Sequence, residues 1–145
     1  MENPGYAGDV SVQDAWSALA ADPKAQIVDV RTTAEWAFVG VPDLSDARRE
    51  VRLVEWQSYP SGSVDPDFAE NAGDVLRQAG ADPDTPVFFI CRSGARSRSA
   101  AMAMTRAGWS RAYNIVGGFE GDLDEERHRG GRGGWKAAGL PWRQT

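Results

Sequence analysis

The sequence predicts an α/β domain built on a mainly parallel sheet. Two short apolar runs, at 25–31 and 87–90, have the composition of strands that are buried on both faces. Two segments have apolar residues at helical spacing: 12–21, which precedes the first run, and 66–79, which lies between the two runs. Because strands and helices alternate along the chain, the strands are expected to run parallel in one sheet.

Capping residues set the predicted boundaries in the N-terminal half. Ser11 is expected to cap the helix at 12–21, because a serine hydroxyl accepts from free N–H groups at a helix start. Thr32 or Thr33 has the same predicted role before a short helix that reaches Trp36. The other segments predicted here are a strand at 10–12, the strand at 25–31, a turn at 40–43, a solvated charged stretch at 46–52 and a strand at 51–56.

Proline and glycine set the boundaries in the C-terminal half. Pro66 opens the helix that Gly80 stops, and Gly108 stops the helix that follows the run at 87–90. The remaining predicted segments are a strand at 111–116, a glycine pair at 117–118, a charged Gly-rich insertion at 122–134, and a short helix with a packed tail at 135–142. The predicted organisation is an N-terminal tail at 1–9 and a single domain at 10–145.

Composition limits the classes of function. The chain has 145 residues, a formal net charge of −5 and one cysteine, so it fits one domain with a free thiol. No signal peptide and no membrane-spanning run is recognisable, and we expect a soluble, cytoplasmic protein. The acidic charge disfavours nucleic-acid and membrane partners. Arg92, Arg96 and Arg98 nevertheless surround Cys91, which favours a small anionic ligand.

The loop at 91–97 carries the predicted chemistry. It joins a strand to a helix, where unpaired backbone N–H groups and the helix dipole favour an anion. An unperturbed thiol has a pKa of about 8.5, so it is mostly protonated at neutral pH. The dipole supplies only about 0.3–1 kcal/mol, less than one pKa unit, so the loop amides with Arg92 and Arg96 must supply the rest. These neighbours favour a reactive Cys91 over an inert core cysteine.

Spacing separates the possible thiolate chemistries. Cysteine phosphatases place an arginine after five intervening residues, and here Ser97 holds that position while Arg96 comes one residue earlier. A loop shortened by one residue suits a sulfur-sized group better than a phosphate. With no second cysteine, a dithiol reductase is disfavoured. Sulfur transfer, a phosphatase or arsenate reductase, and a non-catalytic binding or sulfur-sensing module remain as alternatives.

The chain resembles the rhodanese-like family of sulfurtransferases over about 10–142. The resemblance lies in 27–31 with Glu35 and Gly40, in the six-residue loop from Cys91 to Arg96 followed by Ser97, and in 115–119 with Trp135 and 139–141. It implies a sheet of about five parallel strands with helices on both faces, and no cofactor. It also implies a thiosulfate sulfurtransferase in which Cys91 takes the sulfane sulfur and passes it to a thiol or cyanide.

The resemblance assigns roles to the loop residues. The backbone of the segment Arg92, Ser93, Gly94, Ala95 and Arg96 would hold the terminal sulfur, and Arg92 and Arg96 would bind the donor's sulfonate. Ser93 and Ser97 would either donate to the persulfide or cap the helix. Two departures affect the pocket: residues 40–44 lack the histidine that the family often has there, and the insertion at 122–134 is long.

Other candidate residues receive mainly structural interpretations. Asp29 and Arg31 could form the pocket floor, but hydrogen bonds to turns and helix ends are the favoured role. Arg98 is expected to face solvent. His128 and its acidic neighbours are interpreted as a solvated loop, with no metal site. The repeated Arg-Gly-Gly at 129–134 is interpreted as a flexible lid near the site, and the tryptophans as core residues, with Trp36, Trp56 and Trp135 as possible pocket or dimer contacts.

Overall fold

The computed structural model describes residues 5–144. The strands are β1 Gly8–Val10, β2 Gln26–Asp29, β3 Val41–Pro42, β4 Arg52–Leu53, β5 Val87–Ile90, β6 Ala112–Ile115 and β7 Trp142–Arg143. The helices are α1 Val12–Ala21, α2 Thr33–Val39, α3 Phe68–Gln78, α4 Ala95–Arg106 and α5 Gly134–Ala137.

Five of the strands form a parallel sheet in the order β1-β6-β5-β2-β4, with helices on both faces. A second, two-stranded sheet pairs β3 with β7 antiparallel. The predicted fold class is confirmed.

The two apolar runs of the sequence form adjacent strands at the centre of the sheet. β2 and β5 are buried along their whole length and pair in register from Gln26 with Val87 to Asp29 with Ile90. Helices cover both faces of this pair, which is why its residues do not alternate between apolar and polar. Because the strands are parallel, their carboxyl ends lie at one edge, and this edge brings Arg31 and Cys91 near each other.

A hydrophobic core lies on each face of the sheet. Alternate residues of β5 point to opposite faces, so Phe89 and Cys91 join the core under α3 and α4, while Phe88 and Ile90 join the core under α1. Trp135 of α5 is fully buried in the second core. Cys91 and the buried residues of α4 belong to the first core, so the same packing fixes both the cysteine and the helix that follows it.

Several segments differ from the sequence predictions. β1 begins at Gly8, within the predicted N-terminal tail, and residues 1–4 of that tail lie outside the described part of the chain. The predicted turn at 40–43 contains β3, which pairs with the chain's last strand. The predicted strand at 51–56 is a strand at Arg52–Leu53, and beyond it the N–H groups of Val54 and Trp56 still donate to the carbonyls of Asp29 and Val30. These short pairings depend on distant partners, which local sequence patterns do not reveal.

The charged stretch at 46–52 is less solvated than predicted. Arg49 is half-buried and donates to the backbone carbonyls of Leu19, Asp22 and Ala25. The last carbonyls of a helix have no hydrogen-bond donor within the helix, and a guanidinium can donate to several of them at once. Arg49 therefore fixes the C-terminal end of α1.

None of the helices among residues 5–144 has the length and apolar content that a membrane span needs. The insertion at 122–133 is a series of turns and bends, and α5 begins at Gly134, inside the predicted insertion.

Candidate active site

Cys91 lies at the floor of the loop that joins β5 to α4. Only 1% of the residue is exposed, and its sulfur accepts a hydrogen bond of 3.1 Å from the backbone N–H of Gly94. The thiol therefore lies beneath the loop and is covered by it. The pleat of β5 continues through residue 91 and points the side chain to the face of Phe89, into the core under α4.

Glycine shapes the entrance of α4. Gly94 has φ +122°, a conformation that favours glycine, and it is the N-cap residue without a side-chain cap. Neither Ser93 nor Ser97 therefore caps the helix. The N–H groups of the first helical turn have no acceptor within the helix, and the N–H of the N-cap residue Gly94 brings the sulfur to this positive end of the helix dipole. This geometry suits an anion or a polarised sulfur atom.

A second loop supports the Cys91 loop from below. The backbone N–H groups of Phe119 and Glu120 donate to the carbonyls of Cys91 and Arg92 at 2.8 and 3.0 Å. Gly118 comes so close that an added Cβ would lie 2.5 Å from the Cys91 oxygen. The glycine pair that ends β6 is therefore required by this close approach as well as by its turn.

A chain of polar side chains extends from the sulfur to the N-terminal segment. The Ser97 hydroxyl lies 3.2 Å from the Cys91 sulfur and donates to Asn114 Oδ1 at 2.6 Å. Asn114 Nδ2 and the Tyr6 hydroxyl both donate to Asp9 Oδ1, at 3.0 and 2.8 Å. Burial and the bond to Asp9 raise the pKa of Tyr6 above its ordinary value of 10.0.

Asn114, Asp9 and Tyr6 are not among the site residues that the sequence predicts. The one available signal was an asparagine inside the apolar strand at 112–115, because a buried polar side chain needs a partner. The carboxylate of Asp9 accepts only, so it fixes which end of the Asn114 amide faces Ser97.

Arg96 is paired with Glu35 of α2. Its two terminal nitrogens donate to the two carboxylate oxygens at 2.7 and 3.0 Å, and 19% and 22% of the two side chains are exposed. Burial opposes the charged form of Glu35, but the hydrogen bonds and charge of Arg96 outweigh it and lower the pKa of Glu35 below 4.5. The same hydrogen bonds raise the pKa of Arg96. Arg92 is exposed at the rim, and Arg98 is also exposed.

Asp29 and Arg31 lie beneath the site. Both side chains are fully buried, and Arg31 donates to the carboxylate of Asp29, the closest contact being 2.6 Å, and to the carbonyl of Gly40 at 2.7 Å. The guanidinium lies over the ring of Phe119, 4.3 Å from its centroid. The pair joins β2, the start of β3 and the loop that supports Cys91.

A cavity of about 550 Å³ lies beside the Cys91 loop. Arg92 and Arg96 line it from the loop, Glu35 and Phe38 from α2, and Tyr59 from the segment before α3. Glu120 and Arg129 complete its charged lining, so the predicted insertion does border the site. His128 is exposed, and residues 5–144 contain no group of three His, Cys, Asp or Glu side chains placed to hold a metal ion.

The tryptophans do not line this cavity. Trp135 is fully buried, and Trp56 packs edge to face on Phe68, with ring centroids 5.0 Å apart. These contacts provide core area in a small domain.

Comparisons with known proteins agree with this fold. A solved structure, Rv0390 from M. tuberculosis, is 51% identical with a TM-score of 0.84, over 97% of this chain and 99% of that one. A polysulfide-sulfur transferase homodimer from Wolinella succinogenes shares the fold at 23% identity, with a TM-score of 0.59 over 94% of this chain and 78% of that one.

Sequence comparison gives the family. The thiosulfate sulfurtransferase GlpE of Actinobacillus succinogenes is 37% identical over 133 residues, 92% of this chain and 87% of that protein. The family described as the STR4 middle domain matches residues 7–145. The chain therefore belongs to the STR4 middle domain family, and it is similar both to a thiosulfate sulfurtransferase and to a thylakoid rhodanese-like protein of Oryza sativa.

Proposed function

We propose that this protein is a sulfurtransferase that carries sulfane sulfur as a persulfide on Cys91. The observation that carries the proposal is the position of the Cys91 sulfur, which accepts the Gly94 N–H at the entrance of α4. A 37% identical relative that is named thiosulfate sulfurtransferase supports the same chemistry. We further propose a small anionic donor and a thiol acceptor. A cytoplasmic location and the lack of nucleic-acid and membrane partners remain predictions from sequence.

The loading step balances without an oxidant. The Cys91 thiolate attacks the outer sulfur of thiosulfate, the new S–S bond forms, and the old S–S bond breaks with its electron pair leaving on sulfite. The products are a Cys91 persulfide anion and sulfite. The charge that develops on the terminal sulfur lies near the first-turn N–H groups of α4, which are already oriented to stabilise it.

Arg92 and Arg96 have different roles in this proposal. Arg92 is exposed, so its guanidinium can pair with the sulfonate of the donor as it enters the site and with the sulfite as it leaves. Arg96 is committed to Glu35, so it fixes the wall of the loop and contributes positive charge without presenting a free fork. The resemblance implied that both arginines bind the sulfonate, and we propose that Arg92 alone does so.

The burial of Cys91 has a cost and a benefit. A 1% exposed sulfur is protected from bulk oxidants, but a donor reaches it only if the segment 92–94 yields. The Arg92 carbonyl is held by the N–H groups of Glu120 and Gly121, so the movement falls on the Arg92 side chain, which is exposed, and on Ser93 and Gly94. The fixed part of the site is below the sulfur, at Ser97 and Gly118.

A cysteine phosphatase or arsenate reductase is the second enzymatic candidate. Those enzymes need a free arginine fork facing the phosphate, and here Glu35 occupies the fork of Arg96. The observation favours sulfur transfer. A non-catalytic binding or sulfur-sensing module differs from both because it would show no turnover.

Turnover of thiosulfate separates the three candidates. We expect sulfite release with cyanide or a thiol as acceptor, loss of this release to background in Cys91→Ser, and no hydrolysis of an aryl phosphate. Ser93→Ala is the matched loop control, with at least partial activity, and thermal unfolding checks that both variants fold. Cys91-dependent phosphate hydrolysis without sulfite release, or no turnover of either substrate, would reject the proposal.

A further inference from the structure

We infer that the cavity beside the Cys91 loop selects an acceptor thiol that carries both a carboxylate and an ammonium group. An amino-acid or short-peptide thiol has this chemistry. Glu120 and Arg129 are assigned as the residues that determine this specificity. The inference rests on the proposed function, because it names the acceptor class of the same site.

The size of the cavity exceeds what an inorganic donor needs. Its volume is about 550 Å³, within the range of roughly 300–1,000 Å³ that holds organic ligands. Thiosulfate and cyanide would leave most of this space to solvent. An acceptor with a carbon skeleton would fill more of the cavity.

The charges that line the cavity are not all paired with one another. Arg96 and Glu35 satisfy each other through two hydrogen bonds. Within residues 5–144, the ion pairs present do not involve Arg92, Glu120 or Arg129. Arg129 uses Nη1 to donate to the Gly121 carbonyl at 2.8 Å, which orients the guanidinium and leaves the rest of its fork for a ligand.

Backbone hydrogen bonds hold these three charged residues side by side. The N–H of Glu120 donates to the Arg92 carbonyl at 3.0 Å, and the N–H of Gly130, next to Arg129, donates to the Glu120 carbonyl at 2.7 Å. The backbones therefore lie in the order Arg92, Glu120, Arg129, a row of a cation, an anion and a cation whose side chains all line the cavity. A ligand with only negative charge is repelled by Glu120, and a ligand with only positive charge is repelled by the two arginines.

A zwitterionic thiol complements this row. Its carboxylate pairs with Arg129, its ammonium group with Glu120, and its sulfur faces the Cys91 loop at Arg92. The same cavity is lined by Phe38 and Tyr59, which are 82% and 72% exposed and provide apolar surface for the carbon skeleton.

The transfer itself needs no further reactant. The acceptor thiolate attacks the terminal sulfur of the Cys91 persulfide, a new S–S bond forms on the acceptor, and the Cys91 S–S bond breaks with its electron pair on the Cys91 sulfur. The products are the acceptor persulfide and the Cys91 thiolate. The acceptor is oxidised at sulfur and the enzyme persulfide is reduced to the same extent.

A charge series of acceptors tests the inference. The protein is loaded with thiosulfate, desalted and mixed with cysteine, N-acetylcysteine, cysteamine or 2-mercaptoethanol, and the decay of the persulfide is timed. For each thiol the wild-type rate constant is divided by that of the variant, which cancels the intrinsic reactivity of the thiol. Arg129→Gln is expected to slow cysteine and N-acetylcysteine about tenfold, and Glu120→Gln to slow cysteine and cysteamine by a similar factor.

Exposed residues of the same segment provide matched controls. Arg127→Gln and Glu126→Gln remove the same charges outside the cavity, and we expect less than about a twofold change with any thiol. If Arg129→Gln slows all four thiols equally, or no more than Arg127→Gln does, the assignment is wrong while sulfur transfer stands. A preference for a protein thiol over all four small thiols would also overturn it. If the wild type takes up no sulfur, the proposed function fails first.

Discussion

Two arginine–carboxylate pairs lie at the same edge of the sheet, and they differ in burial and in role. Asp29–Arg31 is fully buried, and Glu35–Arg96 has about a fifth of each side chain exposed. The first pair joins β2, β3 and the loop under Cys91, so its removal affects the fold. The second borders the cavity, so its removal changes the charge that a ligand meets. Identical chemistry thus supports structure or function according to its access to water.

The largest effect is expected when the buried pair is broken. Arg31→Met leaves the Asp29 carboxylate buried without its cation, and the free energy of unfolding should fall by about 3–5 kcal/mol. Denaturant unfolding measures this loss, with Arg98→Met as the exposed control at less than about 0.5 kcal/mol. If Arg31→Met does not fold, Asp29→Asn gives the same comparison. A loss below about 1 kcal/mol in both variants would remove the distinction between the two pairs.

The cavity pair should affect substrate binding more than stability. Glu35→Gln keeps the length of the side chain, which bonds to Thr32 at the start of α2, but it removes the charge that occupies Arg96. The free energy of unfolding should fall by about 0.2–1 kcal/mol. The KM for thiosulfate should fall by about threefold to tenfold, because Arg96 becomes available to the anion.

Steady-state sulfite release measures that KM. Glu70→Gln, an exposed glutamate in the first turn of α3, is the control and should leave the KM unchanged. A KM that rises in Glu35→Gln would mean that Arg96 acts only through the geometry that Glu35 imposes.

The smallest effect is the pH dependence of the cavity pair. The folded-state pKa of Glu35 is lowered, so its ionised form stabilises the fold above the ordinary value of 4.5. This contribution is lost as the pH falls through the lowered pKa. The difference in unfolding free energy between wild type and Glu35→Gln should be constant near neutral pH and shrink below about pH 4.5. A difference that grows on acidification would contradict the assigned pair.

The residues that the sequence placed correctly are those with local signals. The buried runs predicted β2 and β5, the Ser11 and Thr32 caps predicted α1 and α2, and the glycine stops predicted the ends of α3 and α4, so six elements lie near their expected positions. The Cys91 loop was visible because all its residues are consecutive. Arg98 was predicted to face solvent, and it does.

Contacts between distant residues were not predictable in the same way. Arg96 meets Glu35 across 61 positions, and Asn114 meets Asp9 across 105, distances at which a single sequence carries no pairing signal. Arg49 was expected in solvent because the partners it finds are backbone carbonyls, which have no sequence signature. The burial of Cys91 follows from the strand pleat, but its extent depends on α4 and the loop at Gly118.

The intact mass of the protein after thiosulfate treatment tests the central claim most directly. We predict that wild type gains the mass of one sulfur atom, that peptide mapping places it on the peptide containing Cys91, and that dithiothreitol removes it. Cys91→Ser should gain nothing under the same conditions. A wild-type protein that keeps its original mass with thiosulfate and with polysulfide, while its fold remains intact, would contradict the account.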